Sequence, residues 1–214
     1  IATPTTQAVV KVINQIPVVF SSISDPVDAG VVPKDSAPGK KTGSNVTGVS
    51  DMWPVLLQME TYAKFVPKAK TWGTIFNPAE ANSVTHIKAI RAAAASLNLK
   101  LVEVTVASSS EVEAAARSLV GKVQAITITS DNTTVANFEA IAAVCHQHKI
   151  ALFAGDVDSV PRGATAAAAG GAQSIGDAAA AAPPPRTARR DSGRRLETTR
   201  PQTSTVASGS SSPR

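Results

Sequence analysis

Short apolar runs alternate along this chain with segments whose apolar residues recur every three or four positions. The runs lie at 17–20, 71–76, 99–106, 123–128 and 150–154. They are short, rich in β-branched residues and bounded by turn formers, as buried strands are. Between the last four runs the period changes. After Asn77, the residues Val84, Ile87, Ile90, Ala94 and Leu97 share one helical face. After Ser108, Val112, Ala115, Leu119 and Val120 do the same, as do Val135, Phe138, Ile141 and Val144 after Asp131. Strand starts near 71, 99, 123 and 150 recur every 24 to 28 residues, the cadence of right-handed βαβ crossovers. The pattern predicts an α/β architecture: a mostly parallel, doubly wound sheet with helices on both faces.

The first 50 residues read as the second half of another such unit. Pro4 can open a helix through Ala8, Val9, Val12 and Ile13, because proline is tolerated in a first helical turn. A strand at 18–20 then leads into a long Gly/Pro/Lys loop that ends in NVTGVSD. IATP itself reads as the end of a strand turning into a helix, so a first strand is expected before Ile1.

The pattern stops near residue 163. Beyond it, only Ile175, Leu196 and Val206 are sizeable aliphatics, and there is no aromatic residue. A segment this poor in apolar surface cannot offset its ordering entropy, which predicts disorder over 164–214. Lysine gives way to arginine at the same point. Ala, Pro, Gly and Arg dominate the tail, as translation in a shifted reading frame would produce; an evolved Arg-rich tail for acidic surfaces is the alternative. Charge follows the same division. Residues 1–163 hold 14 Lys/Arg against 13 Asp/Glu, so most of the net +5 belongs to the tail. A basic nucleic-acid footprint on the α/β part is therefore excluded. No run of 18 apolar residues provides a membrane-spanning helix.

Polar residues cluster at every strand end, where open α/β sheets bind ligands. Thr3-Pro4-Thr5-Thr6 follows the implied first strand, and Ser21, Ser22, Ser24 and Asp25 follow VVF. Ser50 and Asp51 follow NVTGV, and Asn77, Glu80, Asn82 and Ser83 follow TIF. Ser130, Asp131 and Asn132 follow AITIT, and Asp156, Asp158 and Ser159 follow ALFAG. Any one set is accounted for by helix capping, which favours the same residue types. Six sets on one edge exceed what capping requires.

Enzyme motifs fail. No G-x-G-x-x-G follows a strand, Gly39-Lys40-Lys41-Thr42-Gly43 lacks the phosphate-loop order, and no G-x-S-x-G elbow exists. Cys145-His146-Gln147-His148 closes a predicted helix, where a terminal His complements the dipole. His86 lies on a helix face beside Lys88. Neither a metal site nor a cofactor is expected, and no nucleophile–base pair stands out.

The strings IATPTTQAV, PVVFSSISDPVDAG, GSNVTGVSD, NPAEANS, SSEVEAAARSLVGKVQAITITSDNT and IALFAGDVDSVPRGA together resemble a bacterial family of ABC-importer substrate-binding proteins. That family is similar to the tryptophan/tyrosine-type binding proteins and has a type 1 periplasmic-binding fold. The resemblance covers about residues 1–168. It implies two α/β lobes that close on a small zwitterionic solute, an amino acid with aromatic ones included. It further implies delivery to a membrane permease, and an extracytoplasmic protein, periplasmic or a cell-surface lipoprotein, whose signal sequence is not in this chain. The chain then divides into a partial first lobe (1–50), a second lobe (51–163) and the tail (164–214).

By matching position, the resemblance places Thr3, Ser24, Asp25, Asp51, Asn77, Glu80, Asn82, Ser83, Asp131, Asn132 and Asp156 in the cleft. The helix N-terminus at Asn82–Ser83 suits an α-carboxylate, and Asp131 or Asp156 suits an α-ammonium. Trp53 is either a wall of the cleft or a core residue on a helix face. Two other readings share the sequence pattern. One is the ligand-sensing domain of a transcriptional regulator, which needs a DNA-binding head before Ile1. The other is a doubly wound enzyme, which lacks its nucleophile.

Overall fold

The computed structural model describes residues 2–40, 43–168 and the short segment 205–206. Helix α1 (Thr3–Val10) opens with Pro4 in its first turn and leads to β1 (Val18–Ile23). β2 (Val46–Ser50) pairs with β1 in parallel, after an irregular crossover. Strand β1 is longer than its apolar residues predict. It continues through Ser21 and Ser22, and Ser22 bridges Ala2. Val18, Phe20, Ile23, Ala29, Val31, Val32 and Val46 form the small core of this part.

The larger part begins with α2 (Val55–Phe65) and β3 (Thr71–Phe76), followed by α3 (Ala81–Ser96) and β4 (Lys100–Thr105). Then come α4 (Val112–Ser118), β5 (Ala125–Thr127), α5 (Asn132–Ala136), α6 (Phe138–Gln147) and β6 (Ala151–Ala154). β7 (Ala166–Ala167) completes a five-stranded parallel sheet in the order β4-β3-β5-β6-β7. Helices α2 and α3 cover one face, where Val55, Met59, Tyr62, Ile87 and Ile90 pack on Trp72 and Phe153. Helices α4 and α6 cover the other, around Leu119, Ile126, Phe138 and Ile141. The strand order reverses between β3 and β5: β4 lies to one side of this pair and β6 to the other. In a doubly wound sheet that reversal opens the ligand crevice at the strands' C-terminal ends.

Three features depart from the sequence pattern. Helix α2 was not visible in it, because Leu56 and Leu57 are exposed and break the apolar stripe. The helix expected after Asp131 is two, interrupted at Asn137, which has φ −125° and ψ 34°. The sheet also continues past the compositional break near 163. Ala164 is buried, and β7 pairs with β6. The disorder expected for the tail falls on residues outside those described, apart from 164–168 and β8 (Thr205–Val206), which pairs antiparallel with β2.

Candidate functional site

The crevice between β3 and β5 is filled by one hydrogen-bonded cluster. Asp131 is its hub, with 0 % of its surface exposed. Its Oδ2 accepts from the Asn77 N–H (3.1 Å), the Ser83 hydroxyl (3.0 Å) and the Thr129 hydroxyl (2.9 Å). Its Oδ1 accepts from the Thr134 N–H (2.6 Å) and hydroxyl (2.7 Å), capping α5. Asn77 is engaged on both side-chain atoms: its Oδ1 accepts from the Ala79 N–H, and its Nδ2 donates to the Thr133 hydroxyl.

Glu80 reaches across the crevice and grips the start of α5. Oε2 accepts from the backbone and side-chain amides of Asn132, and Oε1 from the N–H and hydroxyl of Thr133. Burial works against the charged form of Glu80. The hydrogen bonds from Asn132 and Thr133 outweigh it, so the carboxyl lies below its ordinary range.

Asn82 donates its Nδ2 to the Ser130 carbonyl at 2.8 Å, which leaves its buried Oδ1 without a partner. The Ser130 hydroxyl beside it is also buried and unpartnered. Six of the sequence-derived residues therefore meet here: Asn77, Glu80, Asn82, Ser83, Asp131 and Asn132. The roles expected for two of them change. Asp131 has spent both oxygens on internal donors and has none left for an ammonium. Ser83 has turned its hydroxyl inward to Asp131. Of the carboxylate site expected at Asn82–Ser83, the backbone of the first turn of α3 remains, and no side chain caps it.

A second cluster lies where the two parts of the chain meet. The Ser24 hydroxyl is 3.1 Å from His86 Nε2, and the Ser24 carbonyl accepts from the Ser50 hydroxyl at 2.7 Å. His86 is 1 % exposed. Burial pushes its imidazole down to about 4, so the ring is neutral near pH 7. Its Nδ1 has no partner. Trp53 packs edge-on against this ring, with centroids 4.7 Å apart, and its other side presses on Gly155 at the end of β6. Trp53 thus precedes α2 and packs, half-buried, against the edge of the larger part's core. Asp51, whose N–H donates to the Ile23 carbonyl, is buried with Oδ1 unpartnered. An exposed ion pair, Lys88 to Asp28 at 2.9 Å, also joins the two parts.

Ser24 and Asp25 line a recess of about 310 Å³ together with Pro26, Val27, Pro38 and Met52. Oδ1 of Asp25 accepts the N–H groups of Val27 and Asp28, which holds the turn that shapes this recess. Two further expected residues are engaged within their own turns. Thr3 is buried in the first turn of α1, and Asp156 caps the turn at Val157–Ser159, where its carboxylate accepts the Ser159 N–H and hydroxyl. His86 was missed in the sequence. Its signal was the spacing of Ser83, His86, Ile87 and Ile90, which marks a buried stripe with two polar members.

Three comparisons give this geometry its setting. The family model described as ABC transporter substrate binding protein matches residues 1–182, beyond the stretch that the sequence strings cover. A tyrosine-binding protein of Clostridioides difficile is 34% identical over 166 residues, which are 78% of this chain and 47% of that protein. Among solved structures, a conserved domain protein from Vibrio cholerae aligns with a TM-score of 0.73 at 36% identity, over 78% of this chain and 55% of its own. The ABC domain in complex with L-Trp from Streptococcus pneumonia aligns with a TM-score of 0.72 at 31% identity, over 78% of this chain and 56% of its own. This chain spans about half the length of the relatives it matches. Its sheets are those of the type 1 periplasmic-binding fold, of which it holds a part. A family match over most of the chain and a relative at this identity agree: the chain belongs to the ABC transporter substrate-binding protein family.

Proposed function

We propose that this chain contributes to an extracytoplasmic solute-binding protein that takes an amino acid between its two lobes and delivers it to a membrane permease. The observation that carries this reading is unmet hydrogen-bonding capacity at one edge of the fold. Among the described residues six buried side-chain atoms lack partners, and two of these belong to Ser36 and Thr74. The other four belong to Asp51, Asn82 and Ser130, which follow β2, β3 and β5, and to His86, which meets Ser24 at the end of β1. Unpaired buried polar atoms cost about 1–3 kcal/mol each, so their concentration marks a surface that a polar solute completes. Relatives named for tyrosine binding and for an L-Trp complex supply the ligand class.

In this reading the first turn of α3 receives the α-carboxylate, through backbone N–H groups and the helix dipole. The apolar side chain of the ligand lies toward Pro26, Val27, Pro38 and Met52. Thr3, Asp25 and Asp156 shape the rim. Asn77, Glu80, Ser83, Asp131 and Asn132 hold the α3 and α5 termini in place. The division of labour is that of a binding protein: a rigid polar scaffold and a few free groups.

Titration calorimetry with L-tyrosine, L-tryptophan, a branched aliphatic amino acid and a sugar tests the reading. One-to-one saturable heats with at least one amino acid, and none with the sugar, are expected. Heats with the sugar alone, or with nothing in the panel, would overturn it.

A further inference from the structure

We infer that Asp51 is the counter-charge for the ligand's ammonium group, an assignment that rests on the amino-acid reading above. The acids at the candidate edge differ in what their oxygens already do. Asp131 accepts five hydrogen bonds. Glu80 accepts four, and Asp156 is committed to Ser159. Asp25 holds its own turn. Asp51 alone among these five is buried with an unpartnered carboxylate oxygen, at 7 % exposure.

Among the described residues, no ion pair involves Asp51. The Asp51 N–H donates to the Ile23 carbonyl at 3.2 Å, which fixes its backbone at the end of the β1–β2 pair. Its neighbours on either side, Ser50 and Met52, line the recess that holds Ser24 and Asp25. Burial raises the Asp51 carboxyl above its usual range, and only its own backbone amide opposes this. A buried carboxylate left in that condition is costly, and a charged hydrogen-bond donor relieves the cost. An ammonium brought by the ligand is such a donor, and it is absent until the ligand binds. Neutral His86 across Ser24 suits the same group, since it adds no repulsive charge.

This assignment separates recognition from stability. A residue that mainly holds the fold loses stability when altered. A carboxylate buried without a partner should cost stability in the unliganded protein and repay it only when the cation arrives.

The test uses the 214-residue chain. Wild type, Asp51→Asn and, as control, Asp158→Asn are titrated with L-tryptophan and with indole-3-propionate, which lacks the amine. The same pair is run for L-tyrosine and 3-(4-hydroxyphenyl)propionate. Thermal melting is recorded without ligand. Wild type and the control should prefer each amino acid over its deaminated analogue. Asp51→Asn should lose about ten- to a hundred-fold of that preference while melting at or above the wild-type temperature. Preference retained in Asp51→Asn overturns the assignment and leaves the amino-acid reading standing. Equal loss of both ligands with a lowered melting temperature makes Asp51 a structural residue and also overturns it. Absence of any amino-acid binding by wild type removes the amino-acid reading, and the assignment with it.

Discussion

At the scale of the residue, the same side-chain types divide into scaffold and vacancy by the donors they meet. Asp131 and Asp51 are both buried aspartates at strand ends. One accepts five hydrogen bonds, and the other has an oxygen that accepts none. Charge-assisted hydrogen bonds contribute roughly 1.5–3 kcal/mol each, so the first holds the crevice together. His86 shows how burial of a titratable group becomes measurable. Its folded value of about 4 lies below its ordinary 6.5. The unfolded chain therefore binds the proton more readily over that interval, and stability is fully present above 6.5 and lost as pH falls toward 4. The full interval corresponds to about 3 kcal/mol. Chemical denaturation between pH 6.5 and 5 should show stability falling in the wild type and a flatter profile in His86→Asn. Parallel profiles would assign the fall to other groups. None of this was legible in the sequence, where Asp51 and Asp131 were equally good caps and His86 was a face residue. Partner geometry, which composition does not encode, made the distinction.

At the scale of the element, α3 carries most of the arrangement. Its first turn stands beside the crevice, Ser83 ties it to Asp131, and His86 one turn on reaches Ser24. Trp53 then sits between His86 and the end of β6, a position that requires Gly155. A Cβ at Gly155 would overlap the Trp53 ring, so this glycine serves close approach and not backbone conformation. Gly155→Ala should cost about 1–3 kcal/mol by overpacking. In a Trp53→Ala background the same change should cost much less, because the opposing ring is gone. A double-mutant cycle by urea denaturation measures the difference, and equal costs in both backgrounds would show that Trp53 does not press on Gly155. Of the helices visible in the sequence, α1 showed through Pro4 in its first turn, and α3, α4 and α6 through a stripe of buried residues that faces the sheet. α2 escaped because its outward face carries Leu56, Leu57 and Phe65. The α5–α6 break escaped because Asn137 interrupts a continuous apolar stripe by conformation alone.

At the scale of the whole molecule, strand order determines where the chemistry lies. The cadence of strand and helix predicted the parallel, doubly wound sheet, since each crossover leaves a period-3.6 stripe that a sequence retains. Family strings near the strand ends pointed to the same edge. What neither could supply was which polar groups are spent and which are free, because that depends on contacts 48 to 62 residues apart in the chain. The central claim is that an amino acid binds at the C-terminal edge of these strands. An amide chemical-shift titration of the labelled chain with L-tyrosine and L-tryptophan tests it most directly. Saturable shifts concentrated at Ser24, Asp51, Trp53, the first turn of α3 and His86 are predicted. Shifts centred on the opposite edge, around Cys145, Lys149 and Thr165, or no saturable shifts at all, would contradict it.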